Sequence, residues 1–160
     1  MDRKWNVRTL TTGGIIAALY AALTLLLAPI SFGAGGTIDF RVAEALTLLP
    51  ILTPAAVPGL AVGCFAANLI CGAPWQDVIF GTLATLLGAI CTRKLRKNIW
   101  LAAAMPVVFN TVIVGTMLSM VYALPLWMML FSVFVGEIAV CYLLGIPLIK
   151  LLQHTKLPLA

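Results

Sequence analysis

Long apolar runs interrupted by isolated polar residues dominate this chain. Stretches free of Asp, Glu, Lys and Arg cover Thr9–Ile38, Ala45–Gln76, Val78–Thr92, Asn98–Gly136 and Ile138–Ile149. Several exceed the roughly 20 residues a helix needs to cross a bilayer. They are continuous rather than alternating, which points to helices and away from a β-barrel. Divided at Pro, Gly and charged positions, the pattern predicts six spans. These lie at about Thr9–Ala28, Arg41–Leu52, Ala55–Cys71, Asp77–Thr92, Trp100–Tyr122 and Leu126–Leu152. The expected fold class is an all-α membrane protein, one domain over residues 1–160.

The second span is short. As an α-helix it would cover only about 18 Å, so it is expected to begin below the membrane surface. Pro58 falls in the first turn of the third span, where proline is tolerated. The preceding connection, Pro29 to Phe40, holds Gly33, Gly35, Gly36 and Asp39 and reads as a mobile lid or a plain connector. Small residues recur at four-residue spacing: Ala17 with Ala21, Ala18 with Ala22, and Gly59 with Gly63. Such pairs let helices approach closely in lipid. On span 1 they serve either packing inside the bundle or an external partner. Gly81 and Gly88 mark close packing of span 4.

Composition agrees with a membrane class. Of 160 residues, 62% are hydrophobic and 9% charged, against about 25% charged in soluble domains. The net charge of +5 is not a nucleic-acid signal, because its location explains it. Arg3, Lys4 and Arg8 precede span 1; Arg93, Lys94, Arg96 and Lys97 follow span 4; Lys150 and Lys156 close the chain. Positive groups at span ends mark the cytoplasmic side, and six spans place all three groups there, with both termini. The basic and apolar N-terminus is read as a retained span, since the run is long and no clear cleavage site follows. Cys64, Cys71, Cys91 and Cys141 lie in apolar segments and read as small core residues; the lone His154 has no ligand partners nearby in sequence, which argues against a metal site.

The acids carry the candidate chemistry. Asp39, Glu44, Asp77 and Glu137 sit inside or at the edges of apolar segments, where a carboxylate costs a few kcal/mol or more. Asp39 reads more readily as a solvated loop acid. Glu44 stands three residues after Arg41 and can pair with it. Asp77 either caps span 4 or contributes to a site. Asn68 and Asn110 serve as interhelical hydrogen-bond partners or as ligand donors. Glu137 is hardest to explain structurally, because it falls mid-helix with no cation nearby in sequence. Counted from the span ends, these polar groups populate the outer half of the bundle, which fits a pocket open to the outside. Trp75 and Trp127 read as interfacial belt residues.

No G-x-x-x-x-G-K-[ST], H-E-x-x-H or G-x-S-x-G motif is present, so neither ATP binding of the usual type nor hydrolase chemistry is indicated. No cofactor is expected. Three readings remain open on the residues alone: a transport-binding subunit, an intramembrane enzyme using Glu137 with Asp77, and a structural protein whose acids lock helices together.

The segment Phe40-Arg41-Val42-Ala43-Glu44-Ala45-Leu46-Thr47-Leu48-Leu49-Pro50 resembles the second-span motif of the QueT family. These are substrate-binding (S) components of energy-coupling factor (ECF) transporters assigned to queuosine precursors. Asn68-Leu69-Ile70 with Gly72 and Asp77, Gly81–Leu86, Pro106 with Asn110, and Gly136-Glu137 leading to Leu144–Leu148 extend the resemblance over nearly the whole chain. The resemblance implies a six-helix bundle with an outward pocket gated by the loop between spans 1 and 2. It implies partners too: an EcfT-type transmembrane coupling subunit and two cytosolic ATPases, docked at Ala18 and Ala22. The implied ligand is a 7-deazaguanine, in the 7-aminomethyl or 7-cyano form, met by Glu137, Glu44, Arg41, Asn68, Asn110 and Asp77. An S component for another vitamin or nucleobase is the alternative within the same fold.

Overall fold

The computed structural model describes residues 6–27 and 41–155. The Gly33–Gly36 loop and Asp39 lie outside the described residues, as do Arg3, Lys4 and Lys156. Among the described residues the chain is all-helical. In order come α1 (Val7–Leu26), a 3-10 helix (Val42–Ile51), α2 (Ala56–Ile70), α3 (Trp75–Lys94), α4 (Ile99–Tyr122) and α5 (Leu126–His154). Four of them, α1, α3, α4 and α5, are long and apolar enough to cross a membrane. The 3-10 helix and α2 are shorter, with 10 and 15 residues.

These elements follow the predicted segments with three corrections. The second segment is a 3-10 helix rather than an α-helix, so its ten residues reach about 20 Å at a 2.0 Å rise. The local sequence explains the choice. Thr47 Oγ1 donates to the Glu44 carbonyl at 2.5 Å, an oxygen that an α-helix would use for its own ladder. Pro50 sits inside the element and would clash with a carbonyl four residues back in α geometry. Second, α3 opens at Trp75 rather than Asp77, with Pro74 at its N-cap. Asp77 is therefore a first-turn acid, favourable toward the helix dipole but not the cap. Third, α4 and α5 each contain a π-helical segment, Asn110–Val114 and Ala139–Gly145.

Two arginines tie the 3-10 helix to the two ends of α3. At one end Arg41 forms an ion pair with Asp77. At the other, Arg93 Nη1 donates to the carbonyls of Pro50 at 2.9 Å and Ile51 at 3.2 Å, which a helix terminus leaves unsatisfied. A similar repair occurs at Pro106, which lacks an N–H for the Ala102 carbonyl. Thr92 of α3 donates to that carbonyl at 3.1 Å.

Glycines set the closest contact. A Cβ on Gly59 would lie 2.6 Å from the Gly13 carbonyl oxygen, and one on Gly63 would lie 2.8 Å from that of Ala17. The α1 and α2 backbones thus touch, the approach that small-residue spacing permits in lipid. Two apolar clusters fill the interior. One joins Ile16, Leu48, Leu60, Ala89, Val107 and Cys141; the other joins Ala84, Val114, Met117, Met129 and Val133.

Candidate functional site

On three helices, a polar residue sits at the seam between the two apolar clusters. Along α3 the order is Ala84, Thr85, Ala89; along α4, Val107, Asn110, Val114; along α5, Val133, Glu137, Cys141. Thr85, Asn110 and Glu137 are all buried. The helical repeat brings them to one level, each roughly 15–18 Å from the Trp75, Tyr122 or Leu126 end of its helix. Buried polar groups in an apolar surround need partners, and these have them.

Asn110 Nδ2 donates to Glu137 Oε1 at 2.8 Å. Cys141, one turn after Glu137, donates its thiol to Glu137 Oε2 at 3.6 Å and lies 4.0 Å from the Glu44 carbonyl oxygen. Glu44 enters from the 3-10 helix and is 1% exposed. Its Oε1 accepts from the Tyr20 hydroxyl of α1 and from Thr85 Oγ1, the latter at 3.5 Å. Thr85 also lies 3.5 Å from Cys64 Sγ, and Asn68 Nδ2 reaches the same sulfur at 3.7 Å. Asn68 Nδ2 donates to the Asp77 carbonyl oxygen at 3.2 Å, and the Asp77 carboxylate pairs with Arg41.

All six sequence-predicted binding residues therefore belong to one connected network: Arg41, Glu44, Asn68, Asp77, Asn110 and Glu137. Each is buried. The Arg41 guanidinium, three residues before Glu44, reaches across to Asp77 on α3. Gly81 makes room for this. A Cβ there would stand 2.6 Å from Asp77 Oδ1 and 3.3 Å from Asn68 Nδ2. Asp77 Oδ1 is buried without a hydrogen-bond partner among the described residues.

The two π segments adjoin the mid-bundle pair. Asn110 opens the one in α4, and Glu137 stands two residues before the one in α5. The wider π turn is common where a helix presents functional side chains. Glu137 and Asp77, paired as acid and base in the enzyme reading, sit at different ends of the network with different partners, Asn110 and Arg41.

Tyr20, Thr47 and Thr85 join the network without being candidate site residues in the sequence, and Cys64 and Cys141, read there as small core residues, are core residues that also make polar contacts within it. The available signals were Cys141 at i+4 from Glu137, and Tyr20 as a lone phenol within an apolar span. Ala18 and Ala22 lie outside the network, exposed on the outer face of α1. A cavity of about 580 Å³ between α3 and α4, lined by Phe80, Val112, Thr116 and Met120 among others, includes none of the six residues.

The family model described as QueT transporter matches residues 10–154. The queuosine precursor transporter QueT of Lactococcus lactis subsp. cremoris (strain MG1363) is 34% identical over 87 residues, covering 53% of this chain and 49% of that protein. The aligned stretch thus spans about half the length of that curated relative. No solved structure matches significantly. The long apolar helices and the family match make this a multi-pass protein of the cell membrane. Since the family match covers nearly the whole chain, including every residue of the polar network, the chain belongs to the QueT transporter family.

Proposed function

We propose that the chain is the substrate-binding S component of an ECF-type importer and takes a queuosine precursor from outside the cell. The six helical elements act as one transmembrane domain of six spans, with both termini cytoplasmic. The partners are an EcfT-type coupling subunit and two cytosolic ATPases, and Ala18 and Ala22 form part of the docking face. Both alanines are exposed, on the side of α1 away from the buried Ile16, Tyr20 and Thr24, which supports the assignment.

The observation that carries the ligand reading is Glu137: a carboxylate near mid-membrane, 6% exposed, held by Asn110 and linked through Cys141 to the backbone carbonyl of a second acidic residue, Glu44. A 7-deazaguanine matches this donor and acceptor set. Its N1–H and exocyclic amino group suit one carboxylate, and O6 suits an amide or guanidinium donor such as Asn68, Asn110 or Arg41. An aminomethyl substituent adds a cation that a second carboxylate accepts, in a charge-assisted bond of roughly twice the neutral strength. Asp77 Oδ1 supplies a further buried acceptor. In this scheme the ligand replaces contacts that the side chains now make with one another.

Glu137→Gln keeps the shape and removes the charge. Titration of purified protein with 7-aminomethyl-7-deazaguanine is expected to show about 100-fold weaker binding, since bonds to a charged group contribute roughly 1.5–3 kcal/mol each. Wild-type affinity in the variant would remove Glu137 from the site. Tight binding of an unrelated metabolite by the wild type, with no deazapurine bound, would overturn the substrate.

A further inference from the structure

A second groove has a composition of its own. It lies between α4 and α5, has a volume of about 320 Å³, and is lined by Ala104, Val107, Val108, Phe134, Ile138 and Tyr142. Val108, Phe134 and Ile138 are exposed at 49%, 43% and 37%, so the groove opens outward toward hydrocarbon. Tyr142 stands at one end. Its hydroxyl donates to the Trp100 carbonyl at 3.0 Å, and the two rings lie 5.8 Å apart. Lys150 Nζ sits 5.9 Å from the centre of the Trp100 ring, at the same end. The groove therefore runs from an apolar floor to an aromatic pair and then to a cation.

The charge around that end is of one sign. Arg93, Lys94, Arg96 and Lys97 immediately precede α4, and no acidic residue occurs between Arg93 and Gly136 or after Glu137. The N-terminus of α4, capped by Asn98 through Trp100 N and Leu101 N, adds the positive end of a helix dipole. From Trp100 to Val108 the groove side of α4 covers about 12 Å, most of one leaflet's roughly 15 Å share of the hydrocarbon core.

We propose that this groove binds one anionic phospholipid, with an acyl chain along Val108 and Phe134 and its phosphate beside Lys150 and Trp100. The aromatic pair belongs at the level of the glycerol, where amphipathic rings prefer to sit. Among the described residues near that end, Lys150, Arg93, Lys94, Arg96 and Lys97 offer the negative headgroup positive charge. A zwitterionic lipid fills the groove equally well but gains less from Lys150. The site is independent of the deazaguanine network and of the Ala18–Ala22 face.

The test is native mass spectrometry of the full chain released from nanodiscs with equal mole fractions of phosphatidylglycerol and phosphatidylcholine. One retained phosphatidylglycerol per chain, in several-fold preference over phosphatidylcholine, is expected. Lys150→Gln, an exposed change that leaves the fold intact, should cut that preference about fivefold, the contribution of one lysine near an anionic surface. Val108→Trp should lower retention of both lipids by obstructing the floor. Equal retention of the two lipids by the wild type, unchanged preference in Lys150→Gln, or a dimer mass in place of a lipid adduct would each overturn the proposal.

Discussion

Two lines of small residues run along α1, one position out of phase, and they have opposite fates. Gly13 and Ala17 face α2, where a Cβ on Gly59 or Gly63 would strike their backbone. Gly14, Ala18 and Ala22 are exposed, and a Cβ on Gly14 would meet nothing within 4 Å. The spacing is the same on both lines. What differs is the neighbour: a glycine pair on α2 consumes one face and leaves the other smooth and open. Tyr20 belongs to the packed side and extends its hydroxyl to Glu44. One helix thus holds the bundle and the polar network with one face and presents a close-approach surface with the other.

Substitutions that tell the faces apart begin with the packed one. Gly63→Leu forces a side chain into Ala17 and Tyr20; overpacking of this kind costs about 1–3 kcal/mol or more. With backbone as the obstacle, the upper end is expected, seen as lost folded protein by size-exclusion chromatography. A stable, monodisperse Gly63→Leu variant would disprove the packed face.

Tyr20→Phe comes next. It leaves the volume but removes a buried donor to Glu44, which costs about 1–3 kcal/mol. A lower midpoint of thermal unfolding in detergent is expected, together with weaker ligand binding. If both stay at wild-type values, the Tyr20 bond contributes nothing to the network.

Ala18→Leu tests the open face. Fold stability is expected to stay within about 0.5 kcal/mol, as for surface sites. Co-purification with the coupling subunit should fall by about tenfold or more, because a branched side chain prevents helix contact. Unchanged assembly would show that the partner docks elsewhere.

The smallest effect belongs to Gly14→Ala. With open space around it, the change should raise stability by roughly 0.5–1 kcal/mol through helix propensity alone. The equivalent change at Gly13, whose Cβ would lie 3.2 Å from the Ala55 carbonyl oxygen, should fail to do so. Parallel thermal melts of the two variants decide the matter.

Much of the site was legible in the chain because carboxylates and amides are conspicuous in apolar sequence. Glu44, Asp77, Glu137, Asn68 and Asn110 stand out at once, and counting residues from helix ends puts Asn110 and Glu137 at one level and Asp77 nearer a helix end. The partners were not legible. Thr85 and Cys64 are unremarkable in apolar helices, and only the crossing of α2 and α3 shows that they bridge Asn68 to Glu44. The ion pair of Arg41 with Asp77 spans two elements 36 residues apart, and nothing local in the sequence announces it. The 3-10 geometry of Val42–Ile51 was also hidden, because hydropathy reports burial and not the hydrogen-bond step.

By itself the sequence determined that this is a helical membrane protein, where its apolar segments begin and end to within a few residues, and which polar groups need an explanation. Those follow from composition and from the cost of unpaired polar groups in hydrocarbon, which act on each segment separately. Tertiary structure alone decided which small-residue face of α1 is occupied, that Arg41 turns to Asp77, and that six dispersed polar residues join into one network. Those depend on which helices meet and at what rotation, and that is set by backbone contact at Gly59 and Gly63 and by wide turns in α4 and α5, quantities that no single segment carries.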